Sequence, residues 1–470
     1  MGRFVDESWW TCSRSGPPGM PGIPHLKRTG SGGGTYGRAV PSSLCAMLLL
    51  ARMTTSIWQH AHRKRETVYD VIVVGGGIVG CSTAYWLRRR QPNLDVAIVE
   101  AGTLGAGASG RNAGFVVQGT DVDFLSDIER YGRRTARRLW HFTRDNRDLL
   151  SSELHTSTFG WQSDGSLTVA ATESENQRLQ ECVPRLRAAG APVVHLDADK
   201  TNARLQSAGF AGSLYVTTGA VVNPLRLVHH IAAESGADVR TQHPVQAVQY
   251  EDPGVTLRTP HLRFRADQAV LAVGASLPSL VSSLRSVAQP MRAQMLSTQP
   301  TEGQHVSVPV YSHGGEFYVR QLEGGTVLAG GGRHSHAEAE ATATDATTPA
   351  VQAAIERYLH RHFPWTQAVP IDRRWSGTMT FSPDGRPVVG PVPDLPGSVF
   401  ATGFTGHGMG YGFRMGRLLA DLVSGTSRPD GYDLFSAARF DEDASTSGSQ
   451  PRSRQSTRTP PTRNRRSSSS

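Results

Sequence analysis

The stretch VIVVGGGIVG, Val71 to Gly80, decides the fold. Four branched apolar residues run without alternation into three glycines. A half-exposed strand would alternate, so this run predicts a strand, Tyr69 to Val74, buried on both faces of a parallel sheet. Gly75, Gly77 and Gly80 form a G-x-G-x-x-G turn, and a helix follows to about Arg90. Each glycine has a mechanical task. Gly75 makes the tight turn, Gly77 lets the backbone approach a pyrophosphate, and Gly80 lets helix and strand pack closely. The helix N-terminus adds N–H groups and a positive dipole end for phosphate. DVAIVE then reads as a second strand ending on Glu100, twenty residues past Gly80, where an acid meets ribose hydroxyls.

This unit fits either NAD or FAD. Three further features select FAD. The unit opens the folded chain. A second glycine-rich loop, GAGASGRNAGF (Gly105 to Phe115), follows Glu100 directly. A third, ATGFTGHGMGYGFRMG (Ala401 to Gly416), lies near the end. An extended FAD needs support from both ends of a chain, because its isoalloxazine lies far from its adenine. AVLAVGAS, Ala269 to Ser276, adds a strand ending in a tight turn at Gly274.

The motifs GASGRNAGF, AVVNPLRLV, PMRAQML, RWSGTMTFSPDGRPVVGP and ATGFTGHGMG together resemble the FAD-dependent D-amino-acid oxidase superfamily. Within it the chain is most similar to the glycine oxidase, sarcosine oxidase and gamma-glutamylputrescine oxidase group. The resemblance covers about residues 56 to 440 and implies an α/β fold (α+β overall). A Rossmann-type FAD-binding domain would come from 67–150, 217–288 and 376–440. A mostly antiparallel substrate domain would come from 151–216 and 289–375. It implies that Ser109, Arg111, Asn112, Ala113 and Gly114 run along the cofactor toward the flavin ring, and that Val245 holds the adenine by backbone contacts. Some relatives attach flavin through a late Cys or a His in the second loop. Here no Cys follows Cys182 and Arg111 stands at the His position, so FAD is expected to be non-covalent.

The ends differ from the core. Residues 1–66 carry nine Lys or Arg and three acids, and 445–470 carry six Arg and no acid. Between them 34 basic and 37 acidic residues leave a charge of −3. The overall +9 is thus a property of the ends, and no nucleic-acid surface is expected in the fold. The Ser/Arg/Pro-rich 445–470 is expected to be a disordered basic tail. Residues 1–66 are expected to be a disordered extension, resembling a transit peptide in composition, or a mis-assigned one, with translation starting at Met47 or Met53. LCAMLLLA is too short to span a bilayer, so no transmembrane segment is expected and the location is read as cytoplasmic. The four cysteines form no C-x-x-C pair, and no metal site is expected.

The flavin performs the redox step and the protein orients the substrate. The expected catalytic residues are Arg320, Tyr318 and His407. The resemblance puts Arg320, in FYVRQLEGG, where glycine-oxidase relatives hold the substrate carboxylate, and a guanidinium fork suits that task. Tyr318 shares its strand face by period two. Gly406, Gly408, Met409 and Gly410 begin a helix whose N-terminus can face the charge gathered by reduced flavin, and His407 lies in the same turn. Arg292 is expected to support the flavin or its loop, and Trp375 to be a pocket wall or a core residue. Sarcosine-oxidase relatives use a lysine over the flavin to activate oxygen. In the folded region only Lys200 exists, in the polar stretch LDADKTNAR, so the acceptor stays open between oxygen and a quinone or other carrier.

The function expected is oxidation of the C–N bond of an amino acid or amine by hydride transfer to flavin N5, giving an imine that hydrolyses. Two alternative functions would leave different marks on the sequence. A flavin domain acting in tRNA wobble-base modification would want a basic surface, which the −3 core does not offer. A flavin-dependent hydroxylase would carry a late Gly-Asp motif, where this chain reads ATGFTGHG.

Overall fold

A computed structural model describes residues 66–440. The expectations for 1–65 and for the tail after 440 lie outside the described residues. Two eight-stranded sheets and a two-stranded ribbon organise the described residues. β1 (Glu66–Val74) leads through the glycine turn into helix α1 (Ile78–Arg90) and β2 (Val96–Val99). Val71 to Val74 are at most 3% exposed, because β1 is a central strand. It pairs in parallel with β2 on one side and with a later strand, Arg263–Leu271, on the other.

A four-residue helix α2 (Ala108–Arg111) and β3 (Phe115–Val116) follow. The helical segment α3, Phe124–Glu153, breaks at Gly132, whose φ of +78° is non-helical. It starts at Phe124. The reason is Asp123, whose carboxylate accepts from the Leu125 and Ser126 N–H groups as an N-cap. Next come β4 (Ser166–Ala170), α4 (Glu173–Ala188), β5 (Val193–Asp197) and β6 (Gly212–Val216). The chain then returns through β7 (Ala220–Val221), α5 (Pro224–Ser235), β8 (Asp238–Arg240), β9 (Ala247–Glu251), β10 (Gly254–Arg258) and β11 (Arg263–Leu271). β7 pairs with β3 as the ribbon.

The second half contributes β12 (Gln289–Thr298), β13 (Val310–Ser312), β14 (Phe317–Gln321), β15 (Val327–Gly331), α6 (Pro349–His362) and β16 (Ile371–Phe381). β17 (Val388–Pro391), β18 (Ser398–Thr402) and α7 (Gly408–Val423) complete it. The first sheet runs β17-β18-β11-β1-β2-β8, with β10 and β9 added antiparallel beside β11; the second runs β16-β12-β15-β14-β13-β4-β6-β5. In the second, only the β13–β4 pair is parallel. The fold is therefore a Rossmann-type sheet, parallel through β18-β11-β1-β2-β8 with β17 antiparallel at its edge, and a second, mostly antiparallel sheet. β16 stays paired with β12 from Ile371 to Phe381, so position 376 falls inside a strand of the second sheet. The long β12–β16 ladder holds that strand until the SPDG turn releases it.

α7 locks the ends of the chain together. It lies on α1 so closely that a Cβ on Gly416 would fall 2.4 Å from that of Ser82. Phe413, Met415, Leu418 and Leu419 are buried along it, each contributing about 1.5–3 kcal/mol. The third glycine-rich loop is thereby fixed beside the first. Among the described residues no helix is long and apolar enough to cross a membrane, and no His/Cys/Asp/Glu group is arranged to hold a metal.

Candidate active site

The three glycine-rich segments meet around one cavity of about 710 Å³. At one end stand His243, Val245 and Gln246; at the other, Gly406, Gly408 and Met409. Gly75, Gly77, Glu100, Ser109, Asn112 and Gly274 line the path between them. Gly75 adopts a φ of +108°, and a Cβ there would lie 2.4 Å from the Ala272 carbonyl oxygen. A Cβ on Gly77 would meet Ser109 Oγ at 2.8 Å. One on Gly80 would strike the Gly75 carbonyl oxygen, so this glycine serves helix–strand packing and not the cavity wall.

The second loop is tied to the first. Ser109 Oγ accepts from the Ile78 N–H at 3.0 Å, at the start of α1. Glu100 accepts from the N–H groups of Gly76 (2.7 Å) and Gly102 (2.8 Å), with lone pairs left for hydroxyl donors. Asn112 braces its own loop: Nδ2 donates to the carbonyls of Ala108 and Ser109, and Oδ1 accepts from Gly114 N–H. Gly114 and Gly410 do not line the cavity. Their added Cβ atoms would meet the Val222 carbonyl oxygen at 2.2 Å and the His407 ring at 2.9 Å, so both permit close packing behind it. Thr378, Met379 and Thr380 of β16 also line it.

A smaller pocket of about 120 Å³ opens from the Gly406–Met409 end and shares Ala108, Asn112 and Met379 with the first cavity. Arg111 and Ala113 lie here. Arg111 is already engaged, donating to the carbonyls of Ala106 and Ser376 and pairing with Asp345 at 2.6 Å. Tyr311, Tyr318 and His407 form further walls. His407 is 7% exposed with Nε2 unpartnered, and burial pulls its imidazole below the ordinary value, so it is neutral at pH 7. Burial likewise pushes the Tyr318 phenol up to about 12.

The guanidinium of Arg320, expected to meet a substrate carboxylate, lies outside the lining of both cavities. Nη1 donates to the main-chain carbonyls of Ala113 (2.9 Å) and Val222 (2.7 Å). The residue is 7% exposed and lines none of these cavities. Burial pushes it down to about 10, which still leaves it charged at pH 7. It pins the β3–β7 ribbon to the second sheet. Arg292 is likewise not at the flavin side: it forms a buried pair with Glu340 at 2.8 Å. Trp375 donates to the Arg111 carbonyl at 2.9 Å and so braces the second loop.

The pocket's other arginine is Arg333, which the sequence reading did not single out. It follows β15 and two positive-φ glycines, Gly331 and Gly332. Its guanidinium lies 4.5 Å from the centroid of the Phe381 ring, and among the described residues it has no ion-pair partner within 4.0 Å. Burial lowers it, partly offset by Asp121 and Glu316, which line the same pocket. The signal available in sequence was GGGR directly after a strand.

Residues 70–422 match the family described as FAD dependent oxidoreductase. The chain belongs to this family. Among curated relatives, the gamma-glutamylputrescine oxidoreductase of Escherichia coli (strain K12) is 27% identical over 384 residues, covering 78% of this chain and 85% of the relative. The glycine oxidase of Geobacillus kaustophilus (strain HTA426) is 28% identical over 396 residues, covering 79% and 97%. In structure the chain is similar to glycine oxidase from Geobacillus kaustophilus, with a TM-score of 0.67 at 22% identity over 78% of this chain and 98% of that one. L-proline dehydrogenase from P. horikoshii gives 0.65 at 19% identity over 80% and 99%.

The protein is thus an FAD-dependent oxidoreductase, and the larger cavity fits its cofactor. Gly75 lets the turn approach the Ala272 carbonyl, the missing Cβ of Gly77 leaves room for a pyrophosphate at the start of α1, and Glu100 offers acceptors for ribose hydroxyls. Lys200, the only lysine among the described residues, pairs with Asp197 at 2.7 Å on the surface and lines neither cavity.

Proposed function

We propose that this flavoenzyme oxidises the C–N bond of an amino acid or a primary or secondary amine, with a substrate carboxylate held by Arg333, and that the resulting imine hydrolyses. The supporting observation is a half-buried guanidinium, with no carboxylate among the described residues within 4.0 Å, in the pocket that joins the cofactor cavity. Bound FAD supplies the two-electron acceptor for the hydride leaving the substrate α-carbon. The chain's own residues do the rest. Arg333 offers a bidentate fork to the carboxylate and so fixes the distance of the α-carbon from the cavity. Tyr311 and Tyr318 exclude water on the far side. His407 Nε2, neutral and unpartnered, is a place for the ammonium proton to go, since the amine needs its lone pair to form the C=N bond. Gly75, Gly77, Glu100, Ser109, Asn112, Val245, Gly274, Gly406, Gly408 and Met409 would hold FAD. The described thiols, Cys81 and Cys182, are buried away from that cavity, which supports non-covalent binding. A cytoplasmic enzyme of small-molecule metabolism, passing electrons to oxygen or to a quinone carrier, fits this reading.

The test is anaerobic addition of a panel of amino acids and amines to the FAD-loaded protein. Bleaching of the visible flavin band by at least one amino acid is expected. A band that dithionite bleaches but no amine or amino acid does would overturn the proposal.

A further inference from the structure

Behind the Arg333 pocket lies a second chamber of about 110 Å³, several times the 10–15 Å³ that holds one water. Asp121, Tyr311 and Gly315 line both spaces. Phe124, Trp140 and Leu214 give the chamber apolar walls. Four of its polar groups are carboxylates, Asp121, Asp123, Asp127 and Glu175, beside the hydroxyls of Ser166 and Thr168 and one guanidinium. Asp123 is satisfied by the cap and by Arg178, which also pairs with Glu129, so the one guanidinium in the wall is spent. Glu175 accepts from Ala171 N–H. Two acceptors are left short. Asp127 is 1% exposed and accepts only from the Thr120 hydroxyl at 2.8 Å. Gln118 is 8% exposed; its Nε2 donates to the Thr218 carbonyl, but its Oε1 has no partner. A buried carboxylate with one neutral donor is costly unless something brings more.

We propose that this chamber is a subsite for the distal ammonium of an elongated substrate, whose carboxylate and reacting amine sit beside Arg333. This rests on the substrate reading above. Three N–H donors would match the acceptors of Asp127, Asp121 and Gln118 Oε1, while the methylene chain lies against Phe124, Trp140 and Leu214. A neutral tail of equal length would fill the space and leave the acceptors dry and unmet. An anionic tail would be repelled.

The experiment measures binding to the FAD-loaded protein by perturbation of the flavin spectrum, with hexanoate, 6-aminohexanoate and pentylamine as probes. Wild type should bind 6-aminohexanoate at least about 10-fold more tightly than hexanoate, the size of a charge-assisted hydrogen bond. Asp127→Asn should cut that preference to about 2-fold or less and weaken pentylamine, while hexanoate affinity and the flavin spectrum stay put. Gln118→Leu should reduce the preference in part. Pentylamine tests the chamber without Arg333. If hexanoate fails to bind but pentylamine binds and depends on Asp127, the carboxylate reading falls and the subsite stands. Equal affinities for 6-aminohexanoate and hexanoate in wild type, or a preference untouched by Asp127→Asn, overturn the subsite.

Discussion

Replacing Asp127 by Asn should change how stability depends on pH. Burial pushes the Asp127 carboxyl from 3.8 up to about 7. The unfolded chain ionises at the lower value and the folded chain at the higher one. The stability contributed by the protonated form is therefore complete below about pH 3.8 and is lost as pH rises through 7. Between pH 5 and pH 8 this one residue should cost wild type about 2–3 kcal/mol, at about 1.4 kcal/mol per pH unit where the two states differ by a full proton. Asparagine keeps an acceptor for the Thr120 hydroxyl and does not titrate. Its unpartnered amide hydrogens add a cost of about 1–3 kcal/mol, but that cost is the same at both pH values. The informative quantity is the change in the difference between variant and wild type. With an unfolding entropy of about 2 cal/mol/K per residue, 2–3 kcal/mol moves the midpoint of a fold this size by about 3 °C. Thermal unfolding of both proteins, followed by circular dichroism at pH 5 and pH 8, reads it. The variant should gain about 3 °C on wild type between the two. Parallel pH dependence in the two proteins would mean that Asp127 is not held as a costly buried acid.

Gly77→Val should yield colourless protein, since its Cβ alone would lie 2.8 Å from Ser109 Oγ and the methyls would fill the phosphate path; a normal flavin-to-protein ratio would remove Gly77 from the cofactor site. Acid precipitation of the wild type should release a yellow supernatant, and colour kept in the pellet would mean a covalent bond. Arg320→Met strips two main-chain carbonyls, Ala113 and Val222, of their donor, a loss of about 2–4 kcal/mol in stability. It should lower turnover of amino acids and simple amines alike; a loss confined to carboxylate substrates would return the anchor role to Arg320.

The parallel sheet and its cofactor loops were legible because their determinants are local. The Val71–Val74 run, the glycine spacing and the acid at Glu100 sit within one supersecondary unit, and their geometry follows from backbone sterics. The pocket was legible only in part. Tyr318 lines the pocket from β14. Two residues on, the side chain of Arg320 instead reaches the β3–β7 ribbon, because Ala113 and Val222 present carbonyls there. Those partners are 207 and 98 residues away, and no periodicity reports them. Arg333 was missed for a related reason. Its aim is set by two positive-φ glycines, the last residue of β15 and the one after it, and its neighbour Phe381 comes from a different strand. β16 contributes Thr378, Met379 and Thr380 to the cofactor cavity while belonging to the second sheet. A linear division of the chain cannot express that double membership.

The most direct test of the account is kcat/KM for an amino acid and for its decarboxylated amine, on wild type and Arg333→Ala. Losing a charge-assisted pair of this kind is worth about 2–4 kcal/mol, or roughly a 30- to 1000-fold fall. The account predicts that fall for the amino acid, a change within about 3-fold for the amine, and only partial recovery with Arg333→Lys, whose ammonium lacks the fork. Equal losses for both substrates, or no loss for the amino acid, would contradict it.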